Sequence, residues 1–196
     1  MRNFILLTIS TILSFSIFSF KVADQPTTTL PESSINWMTF EEAAAKMEVE
    51  KRKIVVDIYT DWCGWCKHMD KTTFQKDHIA EYINKTFYPV KLNAEQRETI
   101  TIGEKTYKYI KGNGKERGYH ELAMAISMGR LTFPTVVFID ENIRVLQPLP
   151  GYKDPESFEM IMTYYGNNHF KQTPWSKYQS NYIPMVEQAK PQLISD

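Results

Sequence analysis

Ile54-Val55-Val56-Asp57-Ile58-Tyr59-Thr60-Asp61-Trp62-Cys63-Gly64-Trp65-Cys66-Lys67 is the stretch that decides how this chain reads. Its first six residues are short, apolar and β-branched apart from Asp57, the pattern of a buried strand. The strand runs into the only two cysteines of the chain, two residues apart. A disulfide across that spacing closes a tiny loop and stabilises little through chain entropy. The pair therefore points to chemistry rather than to a staple. Dithiol exchange needs this spacing: one sulfur attacks a target disulfide, and the second lies close enough to release the mixed disulfide.

Position assigns the two sulfurs. Following a strand and opening a helix, Cys63 faces unpaired backbone N–H groups and the positive end of the helix dipole, which favour thiolate. Cys63 is the expected attacking sulfur. Cys66, one turn further in, is expected to be less exposed and to resolve. Asp57 is costly inside an apolar strand unless it has a partner or a task. Burial would raise its pKa and suit it to accept the Cys66 proton. The alternative is a strand-end Asp at the surface. Trp62 and Trp65 offer an apolar rim for a peptide, or ordinary packing. Phe133-Pro134 opens another apolar run, where a fold can hold a cis bond, although an ordinary trans proline also fits.

Outward from this centre, Thr39 and Glu42 form a capping-box signal for a helix through Met47. Lys51-Arg52-Lys53 marks the turn into the strand at 54–59. Helices are expected over 63–71 and 78–84, the latter with Ile79, Tyr82 and Ile83 at core spacing, and a strand over 87–92. That order implies a βαβ unit with parallel strands. Residues 97–118 read as an insertion. Alternation over 99–102 and 105–110, with Gly103-Glu104 between, suits a two-residue hairpin. The run 111–115 is loop-like, and a helix over 119–128 ends at Gly129. Strands follow at 136–140 and 143–146, antiparallel through a turn at Glu141-Asn142. Gly151 precedes a helix over 155–165 with proline at its first turn. The tail from Gly166 is expected to pack on the domain surface.

Composition narrows the classes. The chain has 196 residues, 42% hydrophobic, with Lys plus Arg and Asp plus Glu at 23 each. One good core is expected, and the absence of a basic run argues against nucleic acid. Met1-Arg2-Asn3, then an apolar run over 4–20, then Lys21, fits a signal peptide over 1–23. A retained anchor is the alternative, at the short limit for spanning at roughly 17 residues. Either places the domain outside the cytoplasm, periplasmic or otherwise exported, where disulfides are exchanged. Membrane contact is expected only through residues 4–20. Residues 24–34 read as a linker. No metal is expected: His68, His78 and His120 lack a second cysteine pair, and Asp140-Glu141-Asn142 reads as a turn rather than a calcium loop.

The run Asp57 to Lys67, with its Asp-x-x-x-x-Trp-Cys-x-x-Cys-Lys pattern, resembles the active-site stretch of the thioredoxin superfamily. Phe133-Pro134-Thr135 is similar to that family's cis-Pro loop, and Gly151 to the glycine before its last helix. The resemblance covers about residues 35–168, leaving 169–196 as a C-terminal extension. It implies an α/β thioredoxin fold, a central mixed β-sheet flanked by helices, here with a β-hairpin insertion. It also implies that Phe133 and Pro134 form a ledge for bound peptide, and that no cofactor is needed. Cys-Gly-Trp-Cys-Lys-His-Met-Asp with Thr73-Phe74 further resembles the C-terminal domain of the transmembrane disulfide reductase of the Dsb system. Unlike that reductase, this sequence shows no multi-span membrane part, so an outside electron donor is implied. Protein dithiols and disulfides would be its substrates. Strong oxidants of the family hold a His between the cysteines. The uncharged Gly-Trp here leans toward a reductant, while Lys67 and His68 could stabilise thiolate. The readings left open are an oxidase or isomerase direction, and a thioredoxin-fold binding module without redox chemistry.

Overall fold

The computed structural model describes residues 34–188. The expectations for residues 1–23, for 24–33 and for the tail beyond 188 lie outside the described residues. Thr39 caps helix α1 (Phe40–Val49) as a capping box: its hydroxyl accepts from Glu42 N at 3.2 Å, and Glu42 Oε2 accepts from Thr39 N at 2.7 Å. Strand β1 (Lys53–Tyr59) follows, then helix α2 (Gly64–Met69), a π-helical turn over Asp70–Phe74, helix α3 (Asp77–Thr86) and strand β2 (Phe87–Asn93). β1 and β2 are parallel, as the βαβ reading requires.

Strands β7 (Thr135–Ile139) and β8 (Val145–Pro150) complete a four-stranded sheet of order β2-β1-β7-β8. β7 runs antiparallel to β1 and to β8, which makes the sheet mixed. Side chains alternate between the faces of a strand. Ile54, Val56 and Ile58 therefore join Val90 and Val137 in one core, under α1 and helix α4 (Glu121–Ile126). Val55, Val136 and Phe138 turn to the other, under Met69, Phe74, α3 and helix α5 (Pro155–Gly166). By the same alternation Asp57 falls on the Val55 face, beneath α2 and the π-helical turn. Together these layers form a thioredoxin-like α/β fold.

The hairpin of the insertion forms as β3 (Ile100–Ile102) and β4 (Lys105–Tyr107), with Gly103 at φ 59° in the turn. Ile100 is buried in the α1-side core, so the insertion is built onto the domain.

Several boundaries differ from the sequence expectations. The run 105–110 is not one strand: it breaks at Lys108, and β5 (Tyr109–Ile110) pairs with β6 (Tyr119–His120) instead. Residues 119 and 120 are therefore not helical. His120 ends its strand and caps α4, its Nδ1 accepting from Leu122 N. The left-handed residue after α4 is Met128, at φ 56°, with Gly129 following at φ 80°. Ile143 belongs to the turn rather than to β8, because Asp140 Oδ1 accepts from both Asn142 N and Arg144 N and holds a tight loop.

The described part of the tail packs on the domain, as expected. It forms a 3-10 turn (His169–Lys171), α6 (Trp175–Ser180) and α7 (Met185–Gln188). Glu159 of α5, buried, accepts from Tyr182 Oη and from Met185 N and pairs with His78 Nε2 at 3.0 Å. Among the described residues no helix is long and apolar enough to cross a membrane.

Candidate active site

Cys63 and Cys66 are joined as a disulfide with their Cα atoms 5.3 Å apart. Cys63 is the N-cap of α2, and its Sγ accepts from Cys66 N at 3.0 Å. A sulfur in that position, once reduced, is favoured as thiolate by the backbone donor and the helix end. Both cysteines are nearly closed off, at 5% exposure for Cys63 and 3% for Cys66, so the difference in access is small.

Asp57 is 1% exposed. Its Oδ2 accepts from Lys91 Nζ at 2.7 Å, while Oδ1 is buried without a hydrogen-bond partner. Burial pushes its pKa from the ordinary 3.8 up to about 6, against the opposing pull of Lys91 and with a smaller upward push from Asp70. The surface alternative for Asp57 is thus removed.

Lys91 is the residue that sequence reasoning missed. It stands directly beside Asp57 in the β1–β2 register. Its ammonium bridges Asp57 and Asp70, the latter at 2.5 Å, among the rings of Trp37, Tyr59 and Phe74. These carboxylates hold its pKa up although burial works against the charge. The available signal was a lone charge in the apolar run 87–92, matching the lone Asp57 in β1.

The two tryptophans flank the dithiol, each braced by a different loop. Trp65, 62% exposed, packs on Tyr152 at 5.6 Å and His68 at 5.5 Å. Trp62, 50% exposed, meets Phe133 edge-on at 5.7 Å and donates its indole N–H to Glu95 at 3.0 Å. The Arg117 guanidinium of the insertion lies over it at 4.8 Å. The Phe133-Pro134 bond is cis, and Pro134 O accepts from Gly151 N at 2.8 Å, tying the proline loop to the glycine before α5.

Lys67 is exposed, and its ammonium makes no hydrogen bond or ion pair among the described residues. His120 is buried with both ring nitrogens engaged: Nδ1 accepts from Leu122 N, so Nε2–H donates to Glu98 O at 3.1 Å. Burial lowers its pKa. Among the described residues no group of three or more His, Cys, Asp or Glu side chains could hold a metal ion. What the arrangement can do is exchange a dithiol for a disulfide.

The family model of a thioredoxin-like domain matches residues 40–166. Among proteins with curated descriptions, none matches the sequence significantly. A solved structure described as DsbH oxidoreductase superposes with a TM-score of 0.51 at 16% identity, over 73% of this chain and 92% of that one. A putative disulphide-isomerase from Bacteroides thetaiotaomicron gives 0.47 at 25% identity, over 67% and 93%. The C-terminal domain of DsbD from Neisseria meningitidis, oxidised, gives 0.42 at 17% identity, over 65% and 90%. The first of these likenesses is one of fold.

Proposed function

The chain belongs to the thioredoxin-like domain family, and from that premise we propose that it is a thiol-disulfide oxidoreductase that reduces protein disulfides in the cell envelope. The observation that carries this reading is the Cys63–Cys66 pair at the start of α2, on a sheet that buries Asp57 with its pKa near 6. A scaffold used only for binding needs neither.

In the reaction, Cys63 thiolate attacks one sulfur of the target disulfide. The Cys63–target bond forms, the target S–S bond breaks, and the first target thiolate leaves. Asp57 takes the Cys66 proton. Cys66 thiolate then attacks Cys63 Sγ, the second target thiolate leaves, and the enzyme disulfide seen here remains. Two electrons have passed to the target, and an upstream dithiol donor restores the enzyme. Trp62, Trp65 and the Phe133-Pro134 loop are the surface on which the peptide rests. The uncharged Gly64-Trp65 pair supports the reducing direction. The envelope setting rests on the charged start and apolar run of residues 1–21, with the domain taken as 35–168 and an extension over 169–196.

The test is reduction of a disulfide-bonded protein such as insulin by the reduced enzyme. Cys63→Ser is expected to be inert, and Cys66→Ser to stop at a mixed disulfide. Asp57→Ala is expected to slow resolution more than first attack. Absence of any thiol-dependent activity would leave the binding-module reading in its place.

A further inference from the structure

Gly151-Tyr152-Lys153-Asp154, the four residues between β8 and α5, are each bonded to a different part of the fold. Gly151 N donates to Pro134 O at 2.8 Å. Lys153 O accepts from Thr73 Oγ1 at 2.8 Å, and Lys153 Nζ donates back to Pro150 O at 2.7 Å and to Gly151 O at 2.9 Å. Asp154 caps α5, its Oδ1 accepting from Ser157 N at 2.9 Å. Tyr152 is thereby carried between the cis-proline loop on one side and the π-helical turn that continues α2 on the other. Its hydroxyl lies 3.0 Å from Thr72 Oγ1. Thr72 has one hydroxyl proton, which goes to His68 O at 2.9 Å, so the phenol is the donor to Thr72. The Tyr152 ring meets His68 at 5.0 Å and Trp65 at 5.6 Å.

We propose that Tyr152 is a positioning residue for the exchange reaction, holding the Trp65 indole in one orientation and tying that orientation to the cis-proline loop. The proposal rests on the disulfide-reductase reading above and deepens it. Trp65 lies between the two cysteines, in the first turn of α2, and the next N–H along, that of Cys66, bonds Cys63 Sγ. At 62% exposure the indole has little of the domain around it. Among the described residues its aromatic neighbours are His68 and Tyr152. His68 rides on α2 with Trp65, so it cannot fix the indole relative to the rest of the site. Tyr152 can, because its backbone neighbour is bonded to the cis-proline loop and its hydroxyl is anchored on Thr72. An indole held in this way meets a bound peptide already ordered. A free one would lose rotamer freedom on binding, a cost worth about two- to tenfold in affinity for one side chain.

The experiment uses the reduced full chain and two substrates. One is a peptide whose single cysteine is linked by a disulfide to glutathione; the other is hydroxyethyl disulfide, which has no peptide to lay on the indole. The readout is the ratio of kcat/KM for the peptide to that for hydroxyethyl disulfide. In Tyr152→Ala this ratio should fall about fivefold, and the Trp65 indole N–H should show a lower NMR order parameter. Tyr152→Phe keeps the ring and loses the anchor, so it should cut the ratio about twofold. Thr72→Val removes the other end of the same hydrogen bond. It should match Tyr152→Phe, and the double variant should be no worse than either alone. These two conservative variants carry the test if Tyr152→Ala does not fold. A ratio unchanged in the folded variants, equal losses on both substrates, or losses that add in the double variant would each overturn the positioning role. If the unsubstituted chain reduces neither substrate, the reductase reading itself fails, whatever the variants do.

Discussion

Asp57→Asn should make the protein more stable at neutral pH and hardly change it in acid. Asn keeps the shape of the protonated carboxyl and removes the charge that the site resists. The Asp57 pKa is raised in the fold from 3.8 to about 6, chiefly by burial. A raised carboxyl pKa means that the folded state binds the proton more tightly than the unfolded chain. The stabilising contribution is therefore present below about pH 4 and is lost as pH rises through about 6. At about 1.4 kcal/mol per pH unit of displacement, ionised Asp57 costs the fold about 3 kcal/mol at pH 8. The variant escapes that cost. Lys91, which loses one partner, still holds Asp70. Urea unfolding of the oxidised protein keeps the disulfide out of the titration. Across pH 4 to 8 the variant's advantage should grow from a fraction of a kcal/mol to about 3 kcal/mol, with most of the rise between about pH 4 and 6. A difference that is flat with pH, or a variant less stable at pH 8, would refute the reasoning.

Lys91→Met removes the cation paired with Asp57, so the inflection in such a stability profile should move above about pH 6; no movement would mean that the ion pair does little. Glu159→Ala strips the acceptor shared by Tyr182 Oη, Met185 N and His78. It should lower stability by about 2–3 kcal/mol and speed tryptic cleavage at Lys171 and Lys177, whereas unchanged cleavage would show that the tail is held by other contacts. Ile143→Gly relieves a β-branched residue at φ 60° and should add about 1 kcal/mol to stability; a loss on thermal unfolding would contradict this.

What was legible in the sequence was what short-range pattern determines. The short apolar runs pointed to β1 and β7, the Thr39–Glu42 pair to the start of α1, and Gly103-Glu104 to the hairpin. Asp57 stood out because a charge inside an apolar strand is costly without a partner, the cysteines because of their spacing after a strand, and the Phe133-Pro134 loop through its likeness to the thioredoxin cis-Pro loop. What stayed hidden depends on distant partners. β5 and β6 are two residues each and exist through their pairing and through the Ala94 and Glu98 contacts of His120. A periodic pattern cannot form over two residues, so the expected helix ran on through them. Lys91 meets Asp57 through the register of two strands 34 residues apart. Arg117 reaches Trp62 by the path of a loop, which spacing along the chain does not encode. The tail's aromatic residues suggested packing, but its anchor is a carboxylate, Glu159, buried inside α5.

The central claim is that Cys63–Cys66 gives electrons to protein disulfides, and its most direct test is the equilibrium potential of the pair in glutathione redox buffers. The uncharged Gly64-Trp65 dipeptide predicts a value between about −200 and −270 mV, in the range of dithiols that act as reductants. A value close to about −120 mV, that of a strong disulfide donor, would contradict the account and reverse the direction of electron flow.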